Sequence, residues 1–129
     1  MPRAGLNCQR LTAPVGPFSH VVRAGEMIYL SGPVVQDPAT GKLIGGDVAE
    51  QAEQVLENLR AVLRAVLRVT GRDLSHVVKI TVYLADMSDF AAMNAAYQRH
   101  FEAPYPARTA IEVKALPLGA RIEIDCIAH

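Results

Sequence analysis

Tyr105-Pro106-Ala107-Arg108-Thr109-Ala110-Ile111-Glu112-Val113 is the stretch on which the reading of this chain turns. Proline fixes φ and carries no N–H, so Pro104 and Pro106 stop a preceding helix and hold the backbone extended. Arg108 is thereby expected at the mouth of a strand, with its guanidinium free to project. From Thr109 the side chains alternate, which predicts Thr109, Ile111 and Val113 on a core face. Arg108, Ala110, Glu112 and Lys114 would face water or a ligand. Beyond the turn Leu116-Pro117-Leu118-Gly119 lies a second alternating run, Arg121 to Ile127, in which Ile122, Ile124 and Cys126 oppose Arg121, Glu123 and Asp125. The short connection predicts antiparallel pairing of these two strands, with the acidic groups on the same face as Arg108. A cation and a carboxylate so placed could bind and hydrolyse a small anion.

Upstream, Val77 to Leu84 reads as a strand with Val78, Ile80, Val82 and Leu84 on one face and Lys79, Thr81 and Tyr83 on the other. Ser88 is expected to cap a helix running to Phe101, its apolar face formed by Phe90, Met93, Tyr97 and Phe101. Asn94 falls inside that face, and a buried amide needs partners, so it either ties a loop to the helix or reaches a site. A longer helix opens at Asp47, with Glu50 completing a capping box, and ends at Gly71. Its stripe of Val48, Ala52, Val55, Leu59, Val62 and Val66, widened by Leu56, Leu63 and Leu67, faces the core, while its Glu and Arg residues form a solvated face. Ser19–Val22 and Met27–Gly32 read as strands joined around Ala24-Gly25, and Leu6–Leu11 as an edge strand. Gly32 would let a ligand approach the backbone. The rigid loop Pro14-Val15-Gly16-Pro17 presents Phe18, either to a pocket or as a hydrophobic anchor.

The order is strand, strand, helix, strand, helix, strand, strand, and two helices cover one face of a sheet. The other face would carry Met27, Tyr29, Thr81, Tyr83, Ala110 and Ile127, a mixed surface suited to burial against another copy of the chain. The 129 residues suit one domain, and lysine plus arginine balance aspartate plus glutamate at 13 each. That balance lacks the basic field of a general nucleic-acid binder. No apolar run approaches membrane-spanning length and no signal peptide is recognisable, so a soluble cytoplasmic protein is expected. The two cysteines, Cys8 and Cys126, read as free thiols. The four histidines and the cysteines show no metal-ligand spacing.

Taken together, Val15-Gly16-Pro17-Phe18-Ser19, Leu30-Ser31-Gly32, Asp37 to Lys42, Asn94-Ala95-Ala96-Tyr97, Pro106 to Val113 and Ile122 to Ala128 resemble the RidA (YjgF) family of reactive-intermediate deaminases, in order over nearly the whole chain. The resemblance implies a chorismate-mutase-like α/β fold of the α+β kind, a single domain over 1–129 with a mixed sheet and two helices on one face. It further implies a homotrimeric barrel with pockets at the subunit interfaces. The implied activity is hydrolysis of 2-imino acids and their enamine tautomers, such as 2-aminoacrylate, to 2-oxo acids and ammonia, without metal or organic cofactor. By this resemblance Arg108 grips the substrate carboxylate, Glu123 handles the attacking water, and Phe18, Gly32, Asn94 and Ala110 contact substrate. Phe18 replaces the family's tyrosine, Ala110 its cysteine and Pro33 its glutamine, which implies a less polar pocket. The resemblance leaves two other roles open, ribonuclease or translation-inhibitor action on single-stranded RNA and ligand binding without catalysis.

Overall fold

The computed structural model describes residues 3–6, 16–32, 37, 39–40, 42–67 and 73–129. Its strands are β1 (Ala4–Leu6), β2 (Val21–Ala24), β3 (Met27–Leu30), β4 (Val77–Leu84), β5 (Ala107–Glu112) and β6 (Ile122–Ala128). Two α-helices, α1 (Val48–Leu67) and α2 (Phe90–Gln98), complete the element list with short 3-10 turns. The six strands form one mixed sheet in the order β1-β2-β3-β6-β4-β5.

Helix α1 begins where capping chemistry places it. The Asp47 carboxylate accepts from the Glu50 N–H at 2.9 Å, satisfying a first-turn donor that has no intrahelical partner. Val48, Ala52, Val55, Leu56, Leu59, Val62 and Leu63 are buried against the sheet. Each buried Val or Leu side chain contributes on the order of 1.5–3 kcal/mol by leaving water. The expected stop at Gly71 and the run 7–11 lie outside the described residues. The charges of α1 do not all ride in water: Glu53 accepts from Arg99 Nε at 2.8 Å and contacts His100 Nε2 at 2.6 Å. Arg60 Nη2 lies 3.3 Å from His100 Nδ1, and arginine can only donate, so that ring nitrogen accepts and Nε2–H donates to Glu53. This polar clasp joins α1 to the end of α2.

Three further expectations change. Helix α2 is shorter than predicted, running from Phe90 to Gln98, and Ser88 does not cap it: Ser88 lies in the 3-10 turn Met87–Asp89 that leads into α2, and that turn is capped by Asp86, whose carboxylate accepts from Ser88 N–H at 2.8 Å. In β4 the core face begins at Val77 rather than Val78, because the pairing with β6 shifts register between Val77 and Lys79. A bulge of this kind turns one residue out of the alternation, and Val78 is left 37% exposed. The third change concerns β5, which does not pair with β6. It runs parallel to β4, with Arg108 opposite Ile80 and Ala110 opposite Val82, and β4 separates it from β6. Helix α2 is the crossover of a β4-α2-β5 unit, and parallel strands need a connection of that length. The hairpin-like segment 113–121 instead carries the chain past β4 to its far side.

This topology decides which way the side chains point. Ile80, Val82 and Leu84 are fully buried beneath the helices, and their β5 partners Arg108, Ala110 and Glu112 share that face. Thr109 and Ile111, expected in the core, are exposed on the opposite, open face, and Ala110 leaves the open-face set and packs against the core. On β6, Ile122, Ile124, Cys126 and Ala128 are buried toward the helices, while Glu123, Asp125 and Ile127 face the open side with Thr81 and Tyr83. Both helices therefore cover one face, and Tyr29, Val78 and Ile111 remain exposed among the residues of the other.

Candidate functional site

The predicted residues fall into two half-sites on opposite faces of the sheet. On the helix side, Arg108 rises from the first turn of the edge strand β5 toward α2. Its Nη1 donates to Asn94 Oδ1 at 2.7 Å. Its guanidinium carbon lies 4.7 Å from the Tyr97 ring centroid and 5.6 Å from that of Phe90. Asn94 and Tyr97 are three residues apart on α2, which puts an acceptor and a π face on the same side of one helix turn. Among the described residues the remaining guanidinium N–H groups have no hydrogen-bond partner. Tyr97 stacks on Phe101 with centroids 4.4 Å apart, and its hydroxyl is fully buried without a hydrogen-bond partner among the described residues. Burial pushes the Tyr97 hydroxyl pKa up, with Arg108 acting in the opposite direction.

On the open side, Glu123 stands beside Gly32. A Cβ on Gly32 would lie 3.2 Å from both Cγ and Oε2 of Glu123, so a side chain there would press on the carboxylate. The close approach predicted for Gly32 is thus to Glu123 itself. The carboxylate is half-buried and has no hydrogen-bond partner among the described residues. Burial first, and the neighbouring Asp125 charge second, push its pKa above the ordinary glutamate value. Tyr83 donates to Asp125 Oδ2 at 2.9 Å. That hydrogen bond, with burial behind it, raises the Tyr83 pKa.

Phe18 belongs to a third cluster. It is 52% exposed, meets the His20 ring edge-on at 6.5 Å, and lines a cavity of about 30 Å³ under α1 with Leu30, Ser31, Leu59 and Ile124. Ser31 joins this cluster to Gly32 along the chain, and its hydroxyl donates to Ser19 O at 2.6 Å. Cys126 is buried, and burial pushes its thiol up to about 12, which keeps it out of nucleophilic chemistry. Among the described residues no group of three or more His, Cys, Asp or Glu side chains could hold a metal ion. No helix among them is long and apolar enough to cross a membrane.

The expectation that Arg108 and Glu123 share a face is therefore corrected. The alternation along β5 and β6 holds, but β4 intervenes and β5 presents its arginine to the helices. Phe90 and Tyr97 are expected from the sequence in the apolar face of α2 and Tyr83 on the sheet, and the structure adds contacts of all three with charged groups. The spacing of Asn94 and Tyr97 on one helical face was the available signal.

An α+β domain with a mixed six-stranded sheet, two helices on one face and an arginine clamped by a helix asparagine defines the class. The sequence model of the Endoribonuclease L-PSP family matches residues 8–129. A mouse protein called 2-iminobutanoate/2-iminopropanoate deaminase is 44% identical over 126 residues, spanning 98% of this chain and 90% of its own. Protein DfrA of Myxococcus xanthus is 45% identical over 130 residues, 99% of this chain and 96% of its own. The crystal structure of RidA from an Antarctic Psychrobacter superposes with a TM-score of 0.87 at 40% identity, covering 98% of each chain. The chain belongs to the RidA/YjgF family, whose sequence model carries the name Endoribonuclease L-PSP.

Proposed function

We propose that this protein hydrolyses 2-imino acids and their enamine tautomers to 2-oxo acids and ammonia, at sites built between copies of a single-domain chain in a trimer. The observation that carries the reading is the division of the site: Arg108 with Asn94 on one face, Glu123 with Gly32 on the other. Neither half can reach one small substrate within a single chain. In the proposed ring each interface is heterologous, so one copy supplies Arg108 and its neighbour supplies Glu123. The exposed Tyr29, Val78 and Ile111 on the open face supply apolar surface for that contact. The names of the mammalian relatives support the chemistry.

In this reading Arg108 holds the substrate carboxylate through its unpartnered N–H groups, and Asn94, Tyr97 and Phe90 hold the guanidinium plane. The C=N carbon beside that carboxylate is electrophilic. As water adds to it, Glu123 takes a proton from the water and the nitrogen, entering as the iminium, becomes a neutral amine. Glu123 then returns that proton to the amine; as the C–N bond breaks with its electron pair on nitrogen, the carbinol hydroxyl gives its proton to the Glu123 carboxylate, which passes it to the departing ammonia, and ammonium leaves behind a 2-oxo acid. A carboxyl whose pKa is pushed up suits the first duty, because it takes a proton from water more readily than an ordinary carboxylate does. Ala110 borders Arg108 on the same face and contributes backbone and a methyl group. Phe18 would border the pocket through Ser31 and Gly32. The Glu123-Asp125 pair disfavours phosphate on the open face, which argues against RNA as the ligand there.

The test is subunit complementation. Arg108→Ala and Glu123→Gln proteins are each expected to lose at least about tenfold to a hundredfold in kcat/KM for 2-iminobutanoate. The imine is generated in situ by an amino-acid dehydratase and its survival is read by semicarbazide trapping. Unfolding and refolding the two inactive proteins together should restore about a quarter of wild-type activity, because that share of interfaces would pair an intact arginine with an intact glutamate. No restoration in mixed trimers would place both residues in one chain's site and refute the arrangement.

A further inference from the structure

We propose that Asp125 and Tyr83 act as a paired control on Glu123, the aspartate strengthening the glutamate's affinity for a proton and the tyrosine limiting that effect. The inference deepens the proposed function, since it rests on Glu123 handling the proton of water. Three geometric facts carry it. Glu123 and Asp125 are two residues apart on β6 and share its open face, about 7 Å along the strand. Tyr83 is the direct cross-strand partner of Glu123, yet its hydroxyl donates diagonally to Asp125 Oδ2 at 2.9 Å and leaves Glu123 without that bond. Gly32 closes the other side of the Glu123 carboxylate and offers it no charge.

The remaining groups that face this region are few. From β4 come Tyr83, Thr81 opposite Asp125, and Lys79 opposite Ile127, the latter a full pair further along. From β3 comes Tyr29, also opposite Ile127, and from the outer strand β5 come Thr109 and Ile111. Arg108 lies on the other face of the sheet. Arg121 precedes Glu123 by two residues on the same side of the alternation, but it turns to Asp89, its Nε 3.7 Å from Oδ2. Among the described residues of one chain Asp125 is thus the charge that acts on Glu123, and it is of like sign. A like charge favours the protonated form of its neighbour, and a hydrogen bond donated to that charge weakens the effect. The raised pKa of Glu123, set first by burial and then by Asp125, agrees with this arrangement. Tyr83 and Asp125 are positioning residues in this scheme, acting on substrate only through Glu123.

The experiment titrates Glu123 directly and by rate. Protein carrying ¹³C at the glutamate side-chain carboxyl is titrated by NMR, with the Glu123 resonance assigned by its loss in Glu123→Gln. Wild type, Asp125→Asn and Tyr83→Phe are compared, and the pH profile of 2-iminobutanoate hydrolysis is recorded for each. Asp125→Asn should lower the Glu123 midpoint by roughly half to one pH unit, the scale of one like charge at this distance in a half-solvated setting. Tyr83→Phe should raise it by a smaller amount, and the rate profiles should move in the same two directions. Both substitutions are nearly isosteric, and if Asp125→Asn fails to fold, the upward shift in Tyr83→Phe alone decides. Unmoved midpoints, or shifts of the same sign in both variants, would overturn the proposal. Shifted midpoints with no imine hydrolysis by any protein would uphold the coupling and remove the deaminase reading, whereas active proteins with superimposed profiles would do the reverse.

Discussion

Asn94→Asp is the substitution whose consequence the structure specifies most closely. Asn94 Oδ1 already accepts from Arg108 Nη1 at 2.7 Å, so an aspartate would place a carboxylate oxygen at the same point without a change of shape. The neutral partner becomes an anion. Two unit charges about 4 Å apart attract by about 4 kcal/mol at an effective dielectric constant near 20. Both side chains are partly buried, and such a pair, between the exposed and buried limits, is worth around 1–2 kcal/mol. That attraction draws on the guanidinium that must bind the substrate carboxylate, and each 1.4 kcal/mol is about tenfold in affinity.

The variant should therefore be more stable and bind worse. Its melting temperature is expected to rise by roughly 4–7 °C for a chain of this length. The dissociation constant of the product 2-oxobutanoate, measured by calorimetry, should increase by about 5- to 30-fold, with kcat for imine hydrolysis changing much less. Asn94→Ala is the control: it removes the acceptor, lowers stability by about 1–2 kcal/mol, and weakens 2-oxobutanoate less than the aspartate does. An aspartate variant that binds 2-oxobutanoate as tightly as wild type would refute Arg108 as the carboxylate clamp.

Two other outcomes follow from contacts already described. Tyr97→Phe removes a buried hydroxyl that has no partner among the described residues and keeps the ring under Arg108, so urea unfolding should show stability equal to wild type or higher by up to about 1 kcal/mol. Tyr97→Leu loses the ring as well and should cost about 1–2 kcal/mol, and a Phe variant weaker than wild type would mean that the hydroxyl has a partner in solution. Partial burial pushes Glu53 up, but hydrogen bonds from His100 and Arg99 outweigh it and hold its pKa below the ordinary value. A carboxylate depressed in the folded state adds stability that is present above its unfolded pKa and lost as pH falls through the folded one. Glu53→Gln should accordingly be less stable than wild type at neutral pH, with the gap closing on acidification through the carboxylate range. A gap that stays constant across those pH values would refute the ionic role.

What could be read from the sequence was local, and what could not was relational. Asp47, Glu50 and the apolar stripe from Val48 to Val62 specify α1 because caps and period are properties of neighbouring residues. The alternation of Ile122, Ile124 and Cys126 gives the buried face of β6 for the same reason. Pairing is different: the short segment 113–121 suggested a hairpin, but α2 commits β5 to lie parallel beside β4, and β6 enters on the other side. Once β5 changed neighbours, its inward and outward residues exchanged, so Ile111 moved to the open face and Arg108 to the helices. Val78 was lost to a register shift that no composition signals. The resemblance to a family named the site residues one by one without saying which of them meet, and the contacts of Arg108 with Asn94 and of Glu123 with Gly32 emerge only from the folded chain.

The separation of Arg108 from Glu123 has an electrostatic logic of its own. A guanidinium and a carboxylate side by side on one exposed face would pair with each other, and a paired arginine has little left to offer an anionic substrate. Here the arginine is held by a neutral amide and two aromatic rings, which orient its plane without consuming its charge. The glutamate, conversely, faces a glycine and a like charge, which keep its proton affinity high and its oxygens unoccupied. An isolated chain can hold both groups in this unspent state because the thickness of the sheet and the whole of β4 lie between them. In the proposed trimer they meet only across an interface, where the substrate carboxylate and the attacking water can stand between them and take the place of a direct ion pair.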